Sequence, residues 1–351
     1  MPISLRSFLP LLASFCLSNI VADASAESVQ PHYAFVDSLP LSGSTHWDYL
    51  SFDPTSHRLF ITRGDSVDVL NLDSKKITGT IPNLNGVHGV ALATDLGKGF
   101  VTEGKANRVT VFDLATLKPV ATVPTGSKPD AILYDDATQR IFAANGESGD
   151  LTAIDVKTNA VLGTIKLNGN PEFVAANGKG QLYVNLEDKA QIAVVDSKNL
   201  KTIAHYKLSP GCEGPTGLAI DKIHNRLFSA CANKVMIVVD AATGRIIDTL
   251  PIGQHSDAAT YDTGTGLAFS SNGDGTITAI GLSENGHYKV VQTVQTKPSA
   301  RTMALDPTTH DLYLAAAETD GFDPPTDKYP ESRPHIKPDT FMILTVHDAH
   351  Q

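Results

Sequence analysis

The sequence predicts an all-β protein, a seven-bladed β-propeller with four-stranded blades, on three observations. A segment with the same pattern recurs along the chain, and its first turn returns every 41 to 44 residues. Each copy contains short runs rich in β-branched and aromatic residues, separated by Gly, Asp or Asn. An additional strand-like segment stands ahead of the first copy. The seven first-turn positions are Asp53, Thr94, Asp135, Asn177, Asp221, Asp262 and Asp306.

The first repeat shows how each blade is built. After an opening run that ends at Asp53, "RLFITRG", "DVLNLD" and "KKITGTIP" are the predicted second, third and fourth strands. Four strands in forty-odd residues is the period of a propeller blade. The repeats lack the apolar spacing of 3.6 residues that a helix needs, which disfavours a helical solenoid.

The ends of the chain predict how the ring closes. The seventh repeat has no evident fourth strand after "TFMILTVHDA", whereas "YAFVDSLPLSG" (33–43) resembles the fourth strands of the other repeats. We therefore expect the N-terminal strand to complete the last blade, which leaves no open sheet edge between the chain ends.

The N-terminus indicates export. Residues 1–26 have the pattern of a secretory signal peptide, with Arg6, an apolar run at 8–21 and small residues at the end, and residues 27–351 then form a single propeller domain. No later run is long and apolar enough to span a bilayer, so we expect a periplasmic or secreted protein. In such an oxidising compartment Cys212 and Cys231 are most simply a disulfide, with free or metal-binding thiols as the alternative.

The net charge of −10 disfavours one class of partner. An acidic chain repels the phosphate backbone, so nucleic acid is not an expected partner.

The repeats also carry a family resemblance. Phrases such as "VPTGSKPDAILYDDATQRIFAANGESGDLTAIDVKTNAVLGTI" (123–165) and "GPTGLAIDKIHNRLFSACANKVMIVVDAATGRIIDTLPIG" (214–253) resemble the YVTN-type, or YncE-like, seven-bladed β-propeller repeat family. The resemblance covers nearly all of residues 27–351. It implies a scaffold whose members are exported, and says little about function because similar repeats serve lactonases, lyases and adhesive layers.

Polar residues stand five positions before six of the seven first turns, where the inner strand begins at one mouth of the channel. This ring is predicted to consist of Asp48, Gly89, Asp130, Glu172, Thr216, Asp257 and Arg301. His46, His88 and His255 lie near the same register, beside Trp47. Because the second strand runs back towards the same mouth, several of its residues are expected nearby: Arg63, Glu103, Asn145 and Glu187, with Glu318 as a further candidate.

Three interpretations of this mouth remain open. In the first, three or four of a pool of side chains bind a divalent metal ion such as Zn²⁺, Cu²⁺, Mn²⁺ or Fe²⁺. The pool consists of His46, Asp48, His88, His255 and Asp257. In the second, Asp48 and Asp257 pair with Arg301, and His46 and His255 bond to neighbouring blades, without a metal. In the third, the mouth binds a small polar ligand without a metal.

The segment 319–340 is the one large departure from the repeat. It is polar and rich in proline, and it follows a strand that should end at the mouth. If it folds over the mouth, Tyr329, Arg333 and His335 become candidate ligand contacts; otherwise it is a surface loop.

These observations favour an exported binding or interaction module over an enzyme. The expected partner is a small polar or cationic ligand, or a protein at the channel mouth, with a divalent metal as the implied cofactor. The alternatives are a metal-assisted hydrolase, isomerase or lyase that uses the same mouth, and a structural or adhesive scaffold without a small-molecule site. The sequence lacks a Gly-x-Ser-x-Gly nucleophile motif.

Overall fold

A computed structural model describes residues 1–2, 32–43, 46–326 and 332–349. The predicted signal peptide beyond Pro2 lies outside the described residues. No helix of the described part of the chain is long and apolar enough to cross a membrane. The only helical turns among these residues are the short 3-10 turns Thr94–Leu96 and Glu187–Lys189.

The rest of the regular structure is β. In chain order the strands are β1 (Tyr33–Pro40), β2 (Leu50–Asp53), β3 (Arg58–Thr62), β4 (Val67–Asn71), β5 (Lys76–Ile81), β6 (Val87–Ala93), β7 (Lys98–Glu103), β8 (Arg108–Asp113), β9 (Pro119–Pro124), β10 (Pro129–Asp135), β11 (Arg140–Asn145), β12 (Asp150–Asp155), β13 (Val161–Lys166), β14 (Pro171–Ala176), β15 (Gln181–Leu186), β16 (Gln191–Asp196), β17 (Lys201–Lys207), β18 (Pro215–Asp221), β19 (Arg226–Cys231), β20 (Val235–Asp240), β21 (Ile246–Pro251), β22 (Ser256–Asp262), β23 (Leu267–Asn272), β24 (Thr276–Leu282), β25 (Tyr288–Gln295), β26 (Thr302–Leu305), β27 (Leu312–Ala316), β28 (Thr319–Asp323), β29 (Arg333–Ile336) and β30 (Met342–Asp348).

The predicted propeller fold is confirmed: seven four-stranded antiparallel sheets form the blades. Blades 1 to 6 are β2–β5, β6–β9, β10–β13, β14–β17, β18–β21 and β22–β25, each in chain order from the inside outwards. The inner strands follow one another around the ring, and β26 of blade 7 contacts β2 of blade 1. The first-turn aspartates, such as Asp53 and Asp262, end inner strands and are buried.

Blade 7 closes the ring as expected from the sequence. Its strand order is β26, β27, β30 and β1, so the N-terminal strand is the outer strand of the last blade. Tyr33 of β1 is 1% exposed and its ring meets the ring of Phe269 in blade 6 at 4.9 Å. The Gln292 side chain accepts a hydrogen bond from the Tyr33 backbone N–H and donates one to the Tyr33 carbonyl, at 2.9 and 2.7 Å. The closing strand is therefore held by its own blade and by its neighbour.

The core is divided among the blade interfaces. A hydrophobic cluster lies between each pair of neighbouring blades, including the pair formed by blades 7 and 1. Phe60, Phe142 and Phe228 are fully buried second-strand residues of this core. Alternate side chains of each strand face the two neighbouring blades, so every blade is buried on both faces.

Every outer strand carries the same irregularity. The pairing register between the third and outer strands shifts by one residue in all seven blades. The extra residue is Val36 in β1, Val120 in β9, Leu162 in β13 and Ile203 in β17, and these side chains are exposed. Such bulges leave one residue unpaired and increase the local twist of the strand.

The disulfide predicted as the simplest state is present between Cys212 and Cys231. It joins the segment before β18 to the end of β19, and both cysteines are buried. The bond therefore fixes a blade 5 segment at the end of the channel that carries the predicted polar ring.

The insertion in blade 7 contains a hairpin formed by β28 and β29. His335 bonds through Nδ1 to Asp320 at 2.5 Å within the hairpin, and Phe322 is 71% exposed. Arg333 begins β29 and is exposed, whereas Tyr329 lies outside the described residues. His335 thus has a partner in its own hairpin, and its use as a ligand contact stays a prediction.

Candidate functional site

The backbone of the inner strands holds the mouth of the channel in a fixed ring. The hydroxyl of Thr302 in blade 7 donates to the Asp48 carbonyl at 2.9 Å, and that of Thr102 in blade 2 donates to the Asp130 carbonyl at 2.9 Å. The backbone N–H of Tyr49 bonds to the His88 carbonyl at 3.1 Å. The carbonyls of these three mouth residues are therefore tied to the preceding blade, which positions their side chains relative to one another.

Three mouth side chains from blades 1, 2 and 3 meet directly. The His88 Nδ1 atom lies 2.7 Å from Asp48 Oδ2 and 3.0 Å from Asp130 Oδ1. We call Asp48, His88 and Asp130 the mouth triad. Their side chains are 19%, 25% and 13% exposed, so they are shielded but reachable from solvent.

Gly104 makes room for the imidazole of the triad. A Cβ atom at Gly104 would lie 2.7 Å from His88 Nε2, closer than such contacts occur in proteins. Glycine at this position lets the His88 ring pack against the backbone after β7, with Nδ1 towards the two carboxylates.

Charge and burial shift the pKa values of the triad. Burial alone would lower the pKa of His88, but hydrogen bonds to Asp130 and Asp48 outweigh it and raise this pKa to about 10. Burial, together with the nearby Asp130 and Asp257 carboxylates, raises the pKa of Asp48 to about 6. At neutral pH His88 is therefore an imidazolium whose Nδ1–H points at two carboxylates.

The opposite side of the mouth is paired differently. Arg301 Nε donates to Asp257 Oδ2 at 2.5 Å across blades 7 and 6. Burial opposes the charge on Arg301, yet Asp257 and Asp48 raise its pKa above the ordinary value. Part of the salt-bridged interpretation is thus realised, since Asp257 pairs with Arg301, whereas Asp48 bonds to His88.

Two glutamates complete the acidic surface beside the triad. Glu172 and Glu187 line a cavity of about 310 Å³ together with Lys128 and Asp130. Burial and then the charges of Asp130 and Asp257 raise the pKa of Glu172 well above its usual range. Burial also raises the pKa of Glu187. The mouth is therefore an environment in which added positive charge is favoured.

The expected metal pool does not assemble as predicted. Among the described residues, the group whose ligand atoms all lie within 4.8 Å of one another is Asp48, His88 and Asp130. Two members of the expected pool, Asp48 and His88, are in this group, and Asp130 is its third member. The group does not include His46, His255 or Asp257. His46 is exposed on the segment before β2, and His255 is in a turn with φ 55° before β22. Neither histidine lies within a strand, so strand alternation does not align it with its neighbouring aspartate.

Arg63 and Glu103 were expected at the mouth, but the structure places their side chains inside the blades. Glu103 is fully buried and accepts hydrogen bonds from Arg108 at 2.8 and 2.9 Å. Arg63 packs over the Phe341 ring at 3.9 Å and pairs with Asp68 at 3.3 Å. Glu103 lies directly opposite Arg108 in the sheet, so the two side chains share one face of the blade and point away from the channel.

Trp47 is a packing residue. Its ring lies 5.4 Å from that of Phe341 and borders the hydrophobic cluster between blades 7 and 1. Sequence reasoning missed a different aromatic contact, between Tyr49 and Phe173, whose rings meet at 5.3 Å. Tyr49 directly follows Asp48 and Phe173 directly follows Glu172 in the chain. Because the two residues belong to distant repeats, no local sequence pattern predicts their contact.

The fold and the mouth define a class of protein: a seven-bladed β-propeller with an acidic, histidine-containing channel mouth. Within that class part of the chain is similar in sequence to YncE proteins. It is 26% identical to the uncharacterized protein YncE of Escherichia coli K12 over 148 residues, and 28% identical to YncE of Salmonella typhi over 152 residues. Each match covers 39% of this chain and 41% of the relative, so it spans about two fifths of the length of these curated proteins. No family model matches the chain.

Solved structures show the same architecture at low identity. A chain of the Kuenenia stuttgartiensis hydrazine synthase superposes with a TM-score of 0.69 at 13% identity, over 78% of this chain and 93% of that one. A chain of the mitotic checkpoint complex superposes with a TM-score of 0.70 at 16% identity, over 88% and 96%. These likenesses concern the fold alone.

Proposed function

We propose that this protein is an exported binding module whose mouth triad takes a divalent first-row transition-metal cation. The observation that carries the proposal is the convergence of Asp48 Oδ2, His88 Nδ1 and Asp130 Oδ1. The separations of 2.7 and 3.0 Å from His88 Nδ1 to the two carboxylate oxygens resemble the distance between adjacent ligands, about 3.0 Å, around an ion with bonds of roughly 2.1 Å. One imidazole and two carboxylates suit Mn²⁺, Fe²⁺ or Zn²⁺, with water or a ligand group in the remaining positions.

The surroundings favour a cation at this position. Asp257 adds negative charge to that of the triad carboxylates, against the positive charges of Arg301 and Lys128. The raised pKa values of Glu172 and Glu187 reflect the same concentration of acidic groups. Export is part of the proposal and is supported by the Cys212–Cys231 disulfide, because such bonds persist in oxidising compartments. The partner that this reading implies is a small polar ligand that completes the coordination of the ion.

A metal must compete with a proton at His88 Nδ1. Because the raised pKa keeps His88 protonated at neutral pH, metal binding requires loss of this proton. We therefore expect affinity to rise with pH between 6 and 9, and calorimetry in buffers of different ionisation enthalpy to detect proton release.

The test is metal binding by untagged protein prepared without added chelator. We expect the wild type to bind one equivalent of Mn²⁺ or Zn²⁺ in calorimetry, and His88→Ala to lose this binding because the nitrogen ligand is gone. His224→Ala is the matched control, since His224 also contacts a carboxylate, that of Asp221 at 2.6 Å, outside the mouth. Equal binding by His88→Ala, or none by the wild type, would exclude the proposed metal site.

Metal-assisted hydrolysis or a related isomerase or lyase reaction is the second candidate, and Glu172 favours it. Burial and the neighbouring carboxylates raise its pKa, which favours the protonated carboxyl group, and such a group in a cavity shared with Asp130 can act as a general acid. We expect turnover in a panel of lactones and esters with Mn²⁺ or Zn²⁺, abolished by Glu172→Gln while metal binding is retained. Glu147→Gln, on the same cavity wall, is the control. A panel without turnover would leave binding as the function.

A further inference from the structure

The central channel is divided into two compartments. Tyr49 belongs to blade 1 and Phe173 to blade 4, three blades apart in a ring of seven, yet their rings meet at 5.3 Å with an interplanar angle of 66°. The two side chains therefore reach across the axis. Tyr49 is 8% exposed, so the contact is largely shielded from solvent. On one side of this aromatic pair lies the mouth triad.

On the other side lies a cavity of about 770 Å³, which we call the funnel. Tyr49 and Phe173 form part of its lining, and inner-strand side chains such as Leu50, Val90 and Leu218 form its wall. None of the triad residues is part of the lining. The cavity is large enough for a small molecule, and its surface combines these apolar side chains with polar ones such as Ser51 and Thr260.

The polar groups of the funnel lie at its outer rim. Asp95 and Asp136 follow the inner strands of blades 2 and 3, and both are exposed. Between them the Tyr134 hydroxyl donates to Asp95 Oδ2 at 3.0 Å. The exposed Lys222 contributes the one positive charge of the lining, from blade 5.

The charged residues at the rim favour a positively charged ligand. Two neighbouring carboxylates attract a positive group on the side of blades 2 and 3, and the aromatic ring of Tyr134 lies in the same part of the lining. Burial, followed by the hydrogen bond and charge of Asp95, raises the pKa of Tyr134 to about 12, so this ring stays neutral.

We propose that the funnel is a second binding site, separate from the mouth, for a small apolar molecule that carries a positively charged ammonium group. The apolar part lies against the inner-strand wall above Tyr49 and Phe173, and the ammonium group faces Asp95 and Asp136. The site opens on the face opposite the mouth and does not depend on the metal proposal.

The test uses three naphthalene probes that differ in charge: naphthylmethyl-trimethylammonium, naphthylmethanol and naphthalene sulfonate. Binding is followed by probe fluorescence anisotropy in the presence of a chelator. We expect the cation to bind about tenfold more tightly than the neutral probe, and the anion to bind weakest. The Asp95→Asn/Asp136→Asn double variant should remove the preference for the cation, and Glu284→Gln, an exposed change outside the funnel, should not.

Two further variants locate the site. Thr260→Trp, on the funnel wall, should weaken all three probes, whereas His88→Ala at the mouth should leave them unchanged. If Thr260→Trp does not fold, the rim double variant, whose changes are at exposed positions, decides the question. Equal affinity for cation and neutral probe, a preference that survives the rim double variant, or loss of binding in His88→Ala would overturn the proposal.

Discussion

Replacement of Tyr33 by alanine is expected to lower the free energy of unfolding by about 3–5 kcal/mol, the usual range for truncation of a buried aromatic side chain. Tyr33 is 1% exposed and contacts Phe269 of the neighbouring blade. Its strand also closes the ring, so the cavity left by the truncation lies at the joint between the two ends of the fold. Urea denaturation followed by circular dichroism measures the change.

Phe35→Ala is the matched control for this prediction. Phe35 lies two residues further along the same strand and is 39% exposed, so its truncation removes little buried surface. We expect a loss below about 1 kcal/mol. If both variants lost the same stability, the closing strand would act through its backbone pairing alone, and the packing account of Tyr33 would be wrong.

The second large effect concerns alkaline pH. His88 has a pKa of about 10 in the folded protein against an ordinary value of 6.5. Because the pKa is raised on folding, the stabilisation by the protonated His88 side chain is complete below about pH 6.5 and is lost as the pH rises to about 10. A shift of this size corresponds to at most about 5 kcal/mol. Because the His88 side chain is 25% exposed, we expect solvent screening to leave about 2–3 kcal/mol.

The measurement is the unfolding free energy of metal-free protein between pH 7 and 10, with His88→Gln for comparison. The glutamine amide can still donate a hydrogen bond but does not titrate, so the stability of the variant should change less over this range. Asp48 titrates over a lower pH range. Because its pKa is raised to about 6, the stability gained from its protonated form is lost as the pH rises from about 4 to about 6. Parallel losses in the two proteins above pH 7 would show that His88 is not the cause.

Much of the fold could be predicted because each blade repeats a local pattern. Turn aspartates such as Asp53 and Asp262 end inner strands in successive repeats, and this regularity gives both the blade number and the strand order. The closing strand was predictable too, since residues 33–43 resemble other outer strands. Periodicity also placed Asp48, Asp130 and Asp257 near one mouth, because equivalent positions of a ring lie at the same height.

The details of the site depend on geometry that periodicity does not contain. The face on which a side chain lies is decided by single-residue register, and this register turns Glu103 towards Arg108 and away from the channel. His88 joins the triad because Gly104 leaves space for its ring. The contact between Tyr49 and Phe173 crosses the axis, and such a contact between distant repeats has no local signal.

The bulges in the outer strands have a consequence for the protein in concentrated solution. The outer strand of each blade presents an unpaired edge, and a straight edge invites a strand of a second molecule to pair with it. In all seven blades a register shift twists this edge, and apolar side chains such as Val36, Val120 and Ile203 stand out from it without forming a continuous flat strand. The outer strands are therefore poor templates for pairing with strands of other molecules. We expect the propeller to resist fibril formation by edge-to-edge pairing at high protein concentration.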